Sequence, residues 1–143
     1  MDTHVKLAWK GEGLLFVGAS ERGRVDLASS LDDEGRGPTP TETLLIALGG
    51  CTGMDVVSIL TKMRQAPTGF WIEVTGTRRK ERPRPFAAIA IVYHLEGDLD
   101  DAKVRRAIEL SERKYCPVGA MLRPAVSITS SYVIHRPADT ATS

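Results

Sequence analysis

Cys51 and Cys116 are the two thiols of this 143-residue chain, and their settings differ. Cys51 lies in "TPTETLLIALGGCTGMDVVSIL", residues 39–60, which reads as one long apolar helix with Gly49 and Gly50 directly before the cysteine. A glycine inside a helix costs roughly 1 kcal/mol relative to alanine. Two glycines in a row therefore ask for a reason: either another helix or strand packs close, or something must reach the thiol. On a 3.6-residue repeat Cys51 shares a face with Leu44, Leu48 and Asp55. A carboxylate at Asp55 would raise a neighbouring thiol pKa. Cys116 ends the run "RKYC" and precedes Pro117, so it fits the N-cap of a following turn with the proline at N1. Free backbone N–H groups at such a cap lower a thiol pKa. The bland reading is that both cysteines are small buried hydrophobes, as free cysteines commonly are.

Other chemistry finds less support. His4, His94 and His135 show no short ligand spacing to one another or to the cysteines, so no metal is expected and each histidine reads as an edge or surface residue. No G-x-S-x-G context and no phosphate-cradling glycine loop occur. The run Arg78, Arg79, Lys80, Arg82, Arg84 is the one local excess of positive charge. It reads as a solvated hairpin tip, with phosphate contact or support of a thiolate as its functional alternatives. The net charge of +1 argues against a protein that coats nucleic acid. The composition, 42% hydrophobic and 26% charged, points to neither a disordered chain nor a membrane span. No secretory leader is visible at the N-terminus, so a reducing, cytoplasmic setting with free thiols is expected.

The elements that must position these thiols follow from pattern. "VKLAWK", "GLLFVGAS" and "GRVDLAS" read as three strands, and residues 31–38 as a loop. Thr39 at N-cap, Pro40 at N1 and Glu42 at N3 form a capping box for the long helix, which Pro67 closes. "GFWIEVTGT" and "FAAIAIVYHLEG" are strands, the second placing Ile89, Ile91, Tyr93 and Leu95 on one face. "DLDDAKVRRAIELSERKYC" reads as one helix, "VGAML" as a short turn, and "AVSITSSYVIH" as a closing strand before a polar tail from Pro137. Hairpin-joined strands with grouped helices indicate an α+β fold, in a single domain spanning residues 1–143. The first helix is apolar on more than one stripe, and a domain this small cannot surround it alone. A partner subunit is inferred.

These residues resemble the OsmC/Ohr family of osmotically induced and organic-hydroperoxide-resistance proteins. The likeness runs from about Val5 to Ile134 and rests on "GPTPTETLLIALGGCTGMDVVSIL" paired with "RAIELSERKYCPVGAML". It implies an intertwined α+β homodimer in which a long central cysteine-bearing helix has antiparallel sheet wrapped around it. It also implies that Gly49 and Gly50 let the central helices approach while leaving Cys51 beside an interface pocket. By motif, Cys51 matches the peroxidatic cysteine, Cys116 the resolving one, and Glu42 the catalytic acid, although the family's acid directly follows the proline where Thr41 stands here. The implied chemistry is reduction of a small-molecule hydroperoxide by Cys51, closure to a disulfide with Cys116, and reduction by an external dithiol protein, with no cofactor, nucleic acid or membrane involved. The alternative is a non-catalytic protein of the same fold holding a small apolar or electrophilic ligand near Cys51.

Overall fold

A computed structural model describes residues 1–31 and 35–137. The expected loop at 31–38 and the polar tail therefore fall partly outside the described residues. The chain forms two compact units, residues 1–44 and 45–143.

In the first unit, β1 (Lys6–Trp9), β2 (Phe16–Ala19) and β3 (Arg24–Leu27) make an antiparallel meander. Gly11 and Gly13 take positive φ in the first turn, as a tight reversal requires. Leu7, Trp9, Phe16 and Val25 are exposed. A sheet of three short strands needs a covered face to be stable.

The helix α1 (Pro40–Lys62) begins as its capping box dictates. The Glu42 N–H donates to Thr39 Oγ1 at 3.2 Å, and the Thr39 N–H donates to Glu42 Oε1 at 2.9 Å. By length and apolarity α1 would also suit a bilayer, a feature the whole-chain composition conceals. In the second unit its Leu48, Val56 and Leu60 are instead buried in a protein core.

That core is built on a second sheet, β4 (Gly69–Arg78), β5 (Phe86–Glu96) and β6 (Ser127–His135). The alternation in β5 buries Ile89, Ile91, Tyr93 and Leu95, as its period of two requires. Against these pack Val104, Ala107 and Ile108 of α2 (Asp101–Leu110), each full burial of an aliphatic side chain being worth roughly 1.5–3 kcal/mol. Gly49 and Gly53 set how closely α1 lies on this sheet. A Cβ at Gly49 would stand 3.0 Å from Val74 Cγ2, and one at Gly53 2.8 Å from Ile72 Cδ1, both on β4. At Gly50 a Cβ would meet nothing within 4 Å. The glycine before the cysteine is thus explained by strand packing in the case of Gly49, and Gly50 leaves open space.

Two features depart from the sequence reading. β6 pairs with β5 in parallel, so this sheet is antiparallel only between β4 and β5. A parallel neighbour needs a crossover, and the segment from α2 to α3 (Pro117–Leu122) supplies it. The helix expected through Cys116 also changes type: α2 ends at Leu110 and Ser111–Tyr115 form a π-turn. Its wider ring is closed by the Cys116 N–H donating to the Ser111 carbonyl at 2.8 Å. Single π-turns recur at functional positions.

Candidate functional site

The π-turn delivers Cys116 to the N-cap of α3, with Pro117 at the first helical position. The Gly119 N–H donates to Cys116 Sγ at 3.3 Å, the cap interaction that the "CP" dipeptide predicts. Cys51, half-buried on α1, lies near this buried sulfur, and both cysteines are free thiols. Two cysteines 65 positions apart in sequence are therefore neighbours.

The electrostatic outcome differs from the expectation for an N-cap thiol. Burial is the largest influence and pushes the Cys116 thiol up, to about 11. The Gly119 N–H pulls it down, and the nearby Cys51 and the charge of Asp55 push it up further. Desolvation outweighs the cap because Cys116 is only 4% exposed.

Behind the thiols runs a chain of buried hydroxyls that sequence reading missed. Thr52, next to Cys51 on α1, lies 2.8 Å from Tyr93 Oη of β5 and 2.7 Å from Ser111 Oγ at the start of the π-turn. Ser111 Oγ donates to Asp55 Oδ2 at 2.9 Å, and Tyr93 Oη donates to Glu112 Oε1 at 3.1 Å. Thr52, Tyr93 and Ser111 are 1% exposed or less. Burial raises the Tyr93 phenol well above its ordinary value, against the pull of Thr52 and with a further push from Glu112. Glu112 Oε2 accepts from Ser130 Oγ at 3.1 Å and faces Arg123 Nη2 at 3.9 Å. Among the described residues, Arg123 Nε is the buried side-chain nitrogen left without a hydrogen-bond partner. Its guanidinium and Cys116 Sγ flank the same point beside Gly119, at 3.8 and 3.6 Å. No spacing signal could have found this group, whose members are 41 and 59 positions apart.

Glu42 is held by the cap, and the Thr39 N–H lowers its carboxyl pKa, followed by the Thr39 side chain. Arg78, Arg79, Lys80, Arg82 and Arg84 are all exposed at the hairpin tip, where Arg78 Nε donates to the Arg84 carbonyl. His94 and His135, read as separate edge residues, meet instead: His94 Nδ1 lies 3.1 Å from His135 Nε2, and both rings stack on Trp71. Glu73 pairs with His94 Nε2 at 2.9 Å. No group of three or more His, Cys, Asp or Glu among the described residues is placed to hold a metal ion.

A family model described as OsmC-like protein matches residues 32–131. Protein YhfA of Escherichia coli K12 is 44% identical over 124 residues, covering 86% of this chain and 92% of YhfA. A hypothetical protein from Aquifex aeolicus VF5 is 29% identical with a TM-score of 0.85, covering 95% of this chain and 98% of that one. The organic hydroperoxide resistance protein OhrB of Bacillus subtilis is 15% identical with a TM-score of 0.67, covering 93% and 98%, a likeness of fold.

Proposed function

Because the chain belongs to the OsmC-like family, we propose that it is a thiol-dependent peroxidase acting on organic hydroperoxides in stress defence. The observation that carries the reading is the nearness of two free thiols, one half-buried and one buried, from segments distant in sequence. In this reading the Cys51 thiolate attacks the distal peroxide oxygen. The O–O bond breaks, an alcohol leaves and Cys51 becomes a sulfenic acid. Cys116 attacks that sulfur, water leaves, and an external dithiol reduces the disulfide. Glu42, held in the capping box, keeps the catalytic role that the family resemblance gives it. The same reading includes a homodimer, for which the exposed Leu44, Ile46, Met54 and Val57 of α1 and the exposed apolar residues of β1 to β3 are the support.

A second reading has its own support. A resolving thiol pushed up to about 11 is almost wholly protonated at neutral pH, which suits a protein that holds a ligand near Cys51 with little turnover. Intact mass after one equivalent of cumene hydroperoxide, without reductant, separates the two. Loss of two hydrogens, absent from Cys51→Ser and Cys116→Ser, is the peroxidase result. An unchanged mass with both thiols still titratable ends it.

A further inference from the structure

We propose that Arg123 is the positioning residue of the resolving thiol: its guanidinium leaves Glu112 for Cys116 Sγ when that sulfur becomes negative. Two anomalies lie side by side here. The first is a donor without an acceptor. Arg123 Nε is buried and makes no hydrogen bond, an arrangement that costs stability. Among the described residues the one side-chain partner of Arg123 is Glu112, with Nη2 3.9 Å from Oε2, beyond hydrogen-bond length. Glu112 is already served, since Tyr93 Oη donates to Oε1 and Ser130 Oγ to Oε2, each at 3.1 Å. The guanidinium is held there by charge alone, and its Nε–H is spare.

The second anomaly is a thiol without a cation. Burial, Cys51 and Asp55 push the Cys116 thiol up to about 11, against the pull of the Gly119 N–H. Arg123, turned to Glu112, is not among these influences. The ionisable groups round Cys116 are Cys51 and Asp55 on α1, Tyr93 on β5, Glu112 in the π-turn and Arg123 at the end of α3. Arg123 is the one cation among them. Gly119 keeps the space between it and the sulfur small and open. A Cβ at that position would stand 3.6 Å from Cys116 Sγ and 3.8 Å from both Nε and Nη2 of Arg123. A single carbon would thus touch sulfur and guanidinium together, and a change of rotamer at Arg123 is the movement proposed. Arginine suits it, because its guanidinium is more weakly hydrated than an ammonium.

The role rests on the peroxidase reading above. An organic hydroperoxide has converted Cys51 to a sulfenic acid. The Cys116 thiolate gives its electron pair to that sulfur, the S–S bond forms and the S–O bond breaks. Cys116 is oxidised and the sulfenic sulfur of Cys51 is reduced. Hydroxide leaves and takes up the proton that Cys116 released, forming water. Arg123 raises the share of Cys116 present as thiolate, and returns to Glu112 once the disulfide has removed the charge.

The test is the titration of Cys116 by 13C NMR in Cys51→Ser protein labelled with [3-13C]cysteine, where the Cys116 Cβ is the one labelled signal. An opposite charge alongside moves a pKa by roughly 1–3 units. With 35% of the Arg123 side chain in solvent, the low end applies, and Arg123→Gln should raise the midpoint by about one unit. The rise should persist when Glu112→Gln is present in both proteins. An unchanged midpoint overturns the proposal, and so does a rise that vanishes with Glu112→Gln, which would mean that Arg123 only screens Glu112. Should Arg123→Gln not fold, Gly119→Ala makes the same prediction: its methyl fills the shared space and leaves Cys116 its amide donor. The effect on resolution is read with both cysteines present, after one equivalent of cumene hydroperoxide at pH 7. A tenfold smaller thiolate share is offset in part by the greater nucleophilicity of a more basic thiolate, so Arg123→Gln should slow disulfide closure about threefold or more. Dimedone should trap Cys51 sulfenic acid in the meantime. Equal closure rates overturn the role in resolution. No oxidation of wild type ends the peroxidase reading, while a midpoint raised by Arg123→Gln still upholds the contact of Arg123 with the thiolate.

Discussion

The fit of α1 on β4 sets where Cys51 stands, and Gly53→Ala tests it. The added methyl would lie 2.8 Å from Ile72 Cδ1, against an optimal carbon–carbon separation of about 3.5–4.0 Å. Forcing a methyl into a packed core costs about 1–3 kcal/mol, and removing a mid-helix glycine returns about 1 kcal/mol. Gly53→Ala should therefore lose up to about 2 kcal/mol. Ile72→Val removes the offending Cδ1 and by itself costs about 0.5–1.5 kcal/mol. Because the clash disappears in the double variant, its loss should fall short of the two single losses added together by about 1 kcal/mol, the signature of residues in contact. Urea unfolding at fixed pH under reducing conditions gives all four values. The same series should be followed by disulfide closure with diamide. A helix lifted from the sheet carries Cys51 away from Cys116, and disulfide geometry tolerates little displacement. Gly53→Ala should close more slowly and the double variant should recover. Strict additivity in stability, with unchanged closure in Gly53→Ala, would refute the claim that this glycine positions the thiol.

Three further outcomes follow from the same coordinates. Closing Cys51 to Cys116 ties a loop of about 65 residues and should stabilise the oxidised protein by about 4 kcal/mol on the chain-entropy model, read as a higher urea midpoint than that of the reduced form. The Cys116 thiol is held at about 11, above its ordinary 9.0, so its contribution to stability is whole below about pH 9 and is lost as pH rises toward 11. Reduced wild type should weaken across that window and Cys116→Ala should weaken less. Gly50→Ala meets nothing in its own chain, so any destabilisation, together with dissociation on dilution, would locate a partner's approach there, whereas a gain of about 1 kcal/mol would mean that face is open.

What could be read in advance was what local pattern encodes. The alternation of Ile89, Ile91, Tyr93 and Leu95 fixed the buried face of β5, and Thr39, Pro40 and Glu42 marked the start of α1. The "CP" dipeptide announced an N-cap thiol at Cys116. The π-turn was hidden because Ser111–Tyr115 has the composition of ordinary helix and differs only in which carbonyl its amides reach. The parallel pairing of β6 was hidden because β-branched residues suit either direction. The pKa of Cys116 depended on desolvation, which the cap motif does not report. Gly53 packs as closely as Gly49, and no local pattern separates either from Gly50, whose Cβ would meet nothing within 4 Å. Thr52 and Ser111 looked like ordinary polar residues until the fold sealed them from water.

The parallel placement of β6 has a consequence for the order in which the site is made. Cys51 and Thr52 are synthesised first, while Ser111, Glu112 and Cys116 lie on the crossover that β6, later in the chain, completes. At translation rates of 5–20 residues per second, the interval between the two cysteines is roughly 3–13 s. Throughout that interval the nascent chain carries a thiol on an apolar helix without its partner. The newborn chain therefore carries Cys51 exposed to oxidants before its partner thiol has been made.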